Sequence, residues 1–345
     1  MTKELANGEK NGNISKSGQS WYDTHPFRYS LYPTVNDRLV WLIMAFTVAP
    51  IRLVFVFTFI ILASIVANIS VMGLPLEPAQ PLSGWRLVFR DLTVFFSRCI
   101  AFSAGIMSQT VKGRQASSKE APLLIMAPHT SSIDPLAGAM VGLPGAVSMM
   151  DNAKIPLLGA IFRANQSIFV ERGDPDSRNK AAAKIKMRAE AKGAWPQLIV
   201  LPEGFCSNGK SLLPFKTGAF LPGVSVQPIT VKYNNRRLDV TSWVDTGPGL
   251  ISMWSLLLCT PITRIEVMLH PVYHPSDEEK ENPELFAKNV RDLMSRYLEL
   301  PTSELTYRNL KAIVQQNKPR VTFLNLWWSI ISKGCVDIPS REALS

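Results

Sequence analysis

Residues 53–74 run for 22 positions without a charged side chain, and residues 39–51 form a second uncharged run, separated from the first by Arg52 alone. At about 1.5 Å of rise per residue, a helix over the longer run extends roughly 30 Å, enough to cross the hydrocarbon of a bilayer. Two arrangements satisfy that length: a transmembrane helix, or a hairpin that enters one leaflet and leaves by the same side. A third apolar segment, 92–111, is interrupted only by Arg98, with Arg86 and Arg90 before it and Lys112 and Arg114 after it. If positive charge stays cytosolic, this distribution predicts two helices whose outer ends share one face, with the remaining chain in the cytosol. The segment 37–115 is therefore expected to be a hydrophobic helical membrane anchor, preceded over 1–36 by a polar, disordered tail.

Composition narrows the partners. A net charge of +10 accompanies a mean hydropathy of +0.08, whereas basic soluble proteins are normally hydrophilic. The pairing suits a chain that meets both a bilayer and an anionic ligand, such as phospholipid headgroups or a phosphorylated substrate. Nucleic acid is disfavoured, because the basic residues are dispersed and no aromatic stacking motif accompanies them. Cys99, Cys206, Cys259 and Cys335 are too few and too scattered for a disulfide scaffold, which suggests free thiols in a reducing compartment.

From about residue 116 to 310 short apolar runs alternate with helical stretches, the pattern of an α/β domain with a sheet flanked by helices. Strands are predicted at 123–127, 167–170, 197–201, 226–231 and 265–269. A helix is predicted over 177–192, with Gly193 as its stop. Its stripe of Lys180, Lys184 and Arg188 reads first as a solvated basic face. Residues 311–345 form a tail in which Trp327 and Trp328 suit either an interfacial anchor or packing against the domain.

His129 follows the first of these strands and precedes a turn into an apolar helix, so it is expected at a strand's carboxyl end, where α/β sheets build active sites. Asp134, five residues on, can orient the imidazole and stabilise the imidazolium formed when His129 takes a proton from a hydroxyl. An Asp before Pro135 is equally well placed as a helix cap. Glu203 and Gly204 follow another predicted strand, and a glycine turn explains them as well as a site does. Arg172 ends the strand before it, with a planar fork suited to phosphate, and Lys216 is a further cation near glycine.

Four blocks in order carry a resemblance: HTSSID at 129–134, SIFVERGDPDSR at 167–178, LPEGFCSNGKSLLPFKTGAF at 201–220 and VSVQPI at 224–229. They are similar to the four motifs of the glycerolipid acyltransferase superfamily, with its H-x-x-x-x-D signature. More narrowly, the sequence resembles the lysophosphatidylcholine and lysophosphatidylethanolamine acyltransferases from roughly residue 37 to 310. The resemblance implies a mixed α/β sheet and an endoplasmic reticulum enzyme whose catalytic domain faces the cytosol. It would re-acylate a lysophospholipid with acyl-CoA as co-substrate, without metal or other cofactor. By that resemblance His129 is the general base, Asp134 orients it, and Arg172, Glu203 and Gly204 bind the acceptor's phosphate and glycerol region; Lys216, a cation near glycine, is expected from its own chemistry to join them as a substrate-binding residue.

The sequence departs from the family pattern at Ser167, where a small residue is usual, and at Phe205, where a threonine or serine is usual. If its ring lines the acceptor site, Phe205 should narrow the accepted headgroups; if it turns inward, it should chiefly support stability. No calcium-loop pattern follows the catalytic region. A phosphatidic acid-forming 1-acylglycerol-3-phosphate acyltransferase is the nearest alternative, and a membrane-anchored adaptor for anionic lipid is the non-enzymatic one. A metal hydrolase built on His270 and His274 fits poorly, since both are expected in a surface loop among prolines. A serine or cysteine hydrolase lacks G-x-S-x-G, and Cys206 has no histidine near it in sequence, so it reads as structural.

Overall fold

The structure, a computed structural model, describes residues 25–171, 175–234, 238–316 and 322–338. Strand β1 (Tyr29–Leu31) precedes helices α1 (Val35–Phe46), α2 (Val48–Ser70) and α3 (Trp85–Ser103). Next come β2 (Ile106–Lys112), β3 (Leu123–Ala127), α4 (Asp134–Met140), β4 (Gly145–Met149), α5 (Met150–Lys154) and α6 (Leu158–Ala164). They are followed by β5 (Ile168–Val170), α7 (Pro175–Glu190), β6 (Leu198–Val200) and, after a 3-10 turn at Thr217–Ala219, β7 (Val226–Asn234). The chain continues through α8 (Leu250–Cys259), β8 (Thr263–Leu269), α9 (Asp277–Glu281), α10 (Pro283–Leu298), α11 (Tyr307–Gln316), α12 (Phe323–Ser332) and β9 (Val336–Ile338).

Seven strands form one sheet in the order β2-β8-β7-β3-β6-β4-β5. The five strands from β7 to β5 are mutually parallel, β8 runs antiparallel to β7, and β2 runs parallel to β8. This is the expected mixed sheet flanked by helices. Strand β3 lies at its centre with every residue buried, as an apolar run covered on both faces should. Leu124 and Met126 point toward α2, α3, α4 and α8, while Leu123, Ile125 and Ala127 point toward α7 and α10. The carboxyl ends of the five parallel strands share one edge, and the loops leaving β3, β6 and β7 build the site there.

The anchor differs from expectation in three ways. The break between the two apolar runs falls at Thr47, not at Arg52, and Arg52 lies inside α2. Its guanidinium donates to the carbonyls of Leu258, Thr260 and Pro261 at 2.9, 2.6 and 2.6 Å, capping the end of α8 and tying the anchor to the sheet domain. The segment 92–111 is not one helix: α3 ends at Ser103, Gly105 turns at φ 94, and β2 continues as an edge strand. Gly105 is required there, because a Cβ would lie 2.7 Å from Arg52 Nη1. The flanking arginines also serve the protein itself: Arg86 binds the Ser70 carbonyl at 2.8 Å and Arg90 the Gly142 carbonyl at 2.6 Å.

Residues 25–36, expected within the disordered tail, are ordered, because β1 pairs antiparallel with β9 and buries Tyr29 and Leu31. Residues 1–24 and Arg172 lie outside the described residues. The stripe on α7 is solvated at Lys180 but not along its length. Lys184 pairs with Glu77, and Arg188 is buried with its guanidinium 4.2 Å above the Trp195 ring.

Candidate active site

His129 leaves the end of β3 in the loop that leads into α4. Its Nδ1 lies 2.6 Å from Asp134 Oδ2, with Asp134 fully buried and the histidine side chain 18% exposed. The same carboxylate oxygen accepts the backbone N–H groups of Thr130 at 3.1 Å and Ser131 at 3.2 Å. Asp134 thus fastens the turn that carries His129 and holds the ring at once; it is not the helix cap expected from Pro135, because Ile133 takes the N-cap position and Asp134 is the first residue of α4, its carboxylate reaching back to the turn. Its other oxygen accepts the Tyr233 hydroxyl at 2.5 Å. Burial and the adjacent Asp134 carboxylate hold the Tyr233 phenol well above its usual range, which keeps it a donor. For His129, burial opposes the imidazolium, but the Cys206 sulfur and the Asp134 carboxylate favour it more, and its pKa stands well above the ordinary histidine value.

Glu203 turns inward rather than toward open space. Its fully buried carboxylate accepts the N–H of His129 at 2.6 Å and that of Leu213 at 2.9 Å, clamping the loop after β3 to the loop after β6. Burial pushes its carboxyl up to about 7, although both N–H donors pull the other way. A second clamp, Ser207 N–H to the His129 carbonyl at 2.9 Å, and a third, Trp243 N–H to the Thr130 carbonyl at 2.8 Å, fix the same turn from two directions. With its backbone tied at both ends and its ring held at Nδ1, His129 leaves Nε2 clear of Asp134, with the Cys206 sulfur 3.4 Å away.

Gly204 and Lys216 meet across this loop. Gly204 adopts φ 74, and a Cβ there would stand 2.2 Å from Lys216 Nζ, so the bare glycine leaves room for the ammonium. The sheet order puts β5, the strand before Arg172, three positions from β3 on the same edge. The structure thus brings His129, Asp134, Glu203, Gly204 and Lys216 together, while Arg172 is outside its description.

Two residues here escaped the sequence reading. Tyr233 had no motif to flag it. Cys206 places its sulfur 3.4 Å from His129 Nε2, with burial pushing the thiol up. The fold supplies the histidine that sequence proximity did not. Phe205 turns away from them into an aromatic satellite core, 5.9 Å from the Phe27 ring and 5.4 Å from the Tyr307 ring. Phe205→Thr is therefore expected to cost roughly 2 kcal/mol, less than the loss of a fully buried ring. Thermal melting and an acceptor panel on one preparation check this: a lower melting temperature with unchanged acceptor ratios is expected. His270, expected in a surface loop, is buried instead, stacked on Tyr297 at 3.9 Å and bonded to Thr230 Oγ1 at 3.0 Å.

The profile of the family described as Acyltransferase matches residues 108–232, the stretch that contains this pair and both clamping loops. Over that stretch the chain is similar to the acyltransferase family. It is 38% identical to lysophosphatidylcholine acyltransferase 2 of Mus musculus over 84% of this chain and 53% of the relative. It is 36% identical to lysophospholipid acyltransferase LPCAT4 of Homo sapiens over 93% of this chain and 63% of the relative. The chain therefore spans between about half and two thirds of the length of these curated relatives. The 1-acyl-sn-glycerophosphate acyltransferase PlsC of Thermotoga maritima is 19% identical with a TM-score of 0.44, the alignment covering 77% of this chain and 97% of PlsC.

Proposed function

We propose that this acyltransferase moves a fatty acyl group from acyl-CoA to the free hydroxyl of a lysophospholipid, with lysophosphatidylcholine or lysophosphatidylethanolamine as acceptor. The observation that carries the proposal is the His129–Asp134 pair, a base whose partner carboxylate is dry, fully bonded and fixed. His129 Nε2 takes the proton of the acceptor hydroxyl as its oxygen attacks the thioester carbonyl. The carbon–sulfur bond then breaks, and the imidazolium returns the proton to the coenzyme A thiolate. Lys216, admitted by Gly204, and Arg172 supply charge for the acceptor phosphate. Glu203 keeps the His129 backbone in register for that acceptor, and the reaction calls for no metal. We place the enzyme at the endoplasmic reticulum membrane with the sheet domain on the cytosolic side, α2 being long and apolar enough to cross a bilayer by length and composition.

The test is a product profile. Purified protein with labelled acyl-CoA and a panel of lysophospholipids should yield phosphatidylcholine or phosphatidylethanolamine; phosphatidic acid as sole product would favour the 1-acylglycerol-3-phosphate alternative, and no transfer would leave a lipid-binding adaptor. The Cys206 contact raises a second route, acyl transfer through the cysteine. Direct attack predicts that Cys206→Ala keeps activity within a few-fold, since the imidazole retains Asp134 and its backbone clamps. Loss of transfer together with a hydroxylamine-labile acyl-protein in the parent chain would establish the cysteine route instead.

A further inference from the structure

Helices α1 and α12, about 290 residues apart in sequence, meet through their side chains. Arg38 donates from α1 to the carbonyls of Ile330 and Ile331, at 3.5 and 3.4 Å. Trp41 meets Trp327 edge to face at 6.2 Å. Their inner faces, Trp41 with Leu326 and Ile330, share one buried core with β1, α8 and β9. Trp327 is further fixed by its indole N–H to Ser255 Oγ at 3.1 Å. A soluble protein would turn polar residues outward on such helices. Here the outward faces are apolar too: Ile43 and Phe46 on α1, and Leu324, Trp328 and Ile331 on α12, are 59–80% exposed. Positions 324, 328 and 331 repeat at i, i+4 and i+7, one stripe of a helix.

The tandem tryptophans are thus divided, Trp327 packed inward and Trp328 out. We propose that the joined outer faces of α1 and α12 form a second contact with the bilayer, seating Trp328 at the boundary between headgroups and acyl chains. This rests on reading α2 as the membrane anchor. The occupant follows from continuity: α1 passes into α2 through Thr47 alone, so an embedded α2 carries the outer face of α1, and α12 beside it, to the lipid surface. A tryptophan with its ring exposed suits that boundary, and exposed Lys333, one residue beyond α12, is placed to meet lipid phosphate. Such a contact would fix the tilt of the sheet domain over the membrane as well as its attachment.

The experiment uses the full chain in phosphatidylcholine vesicles with an anionic lipid fraction. Emission of the parent chain minus that of Trp328→Phe isolates Trp328, and melting of both chains checks that the conservative change leaves the fold intact. Lipids bearing a nitroxide near the headgroup are expected to quench roughly half of that difference, and mid-bilayer nitroxides clearly less, as an interfacial indole requires. Alkaline carbonate extraction on the same vesicles reads the α2 anchor separately. A chain that resists carbonate while Trp328 stays unquenched overturns the second contact and leaves the anchor standing. Quenched Trp328 in a chain that carbonate releases overturns the anchor alone. Unquenched Trp328 together with cross-linked dimers abolished by Leu324→Ser/Ile331→Ser assigns the face to a second copy and overturns the proposal.

Discussion

His129→Ala is expected to lose about 10²–10⁴-fold in turnover, the range attributable to a positioned general base. The variant should stay folded, because the clamps on residue 129 are backbone bonds to Glu203 and Ser207, but it should melt below the parent, because buried Asp134 loses its imidazole partner. Asp134→Asn tests the same pair through pH. Activity requires the neutral imidazole, and the pKa of His129 is raised, so the acid limb of the parent profile should lie above the usual histidine value of about 6.5. Removing the carboxylate withdraws support for the imidazolium and should move that limb to lower pH, while the plateau falls because Nδ1 has lost its fixed partner. A folded His129→Ala protein with near-parental turnover, or an Asp134→Asn profile with an unmoved limb, refutes the assignment.

The parts of this arrangement that could be read from sequence are those encoded over a few residues. The run at 123–127 is apolar throughout and becomes β3 without change of boundary, and the five-residue spacing of His129 and Asp134 closes across a single turn. Long-range partners left no such trace. Tyr233 reaches Asp134 from a strand 99 positions away, and Arg52 caps a helix more than two hundred positions on. Strand β2 was hidden because residues 106–111 continue the apolar texture of α3, and only the turn at Gly105 divides them. Strand β4, Gly145–Met149, lacks both alternation and a β-branched run, so little marked it beyond the sheet it joins. Charge had a second use that the sequence did not mark: Arg52, the break between the two apolar runs, and Arg86 and Arg90, flanking residues in the orientation argument, all bind carbonyls of the protein.

Glu203 should betray its burial through the pH dependence of stability. Its carboxyl titrates near 7 in the folded chain, against about 4.3 when exposed. Between those values the folded state holds a proton that the unfolded state has released, so the contribution of Glu203 to stability falls as pH rises, by on the order of 3 kcal/mol across the window. His129, with a raised pKa, loses stabilisation in the same direction but only above about 6.5, whereas His25, which burial lowers to about 4, gains stability with pH between those values in both chains, so the difference between the parent and a Glu203 variant, not the slope of the parent alone, reports on Glu203. Glu203→Gln removes this titration. The amide oxygen can serve either the His129 or the Leu213 N–H, but its NH₂ opposes the other, at a cost of about 1–3 kcal/mol. The variant should therefore melt below the parent in acid, and the gap should close as pH rises because only the parent carries the Glu203 titration. Turnover should fall as well, since the His129 backbone is held less firmly. Melting curves of the two chains from pH 4.5 to 6.5 decide the matter: parallel pH dependences would mean that Glu203 is not the buried carboxyl that ties the two loops together.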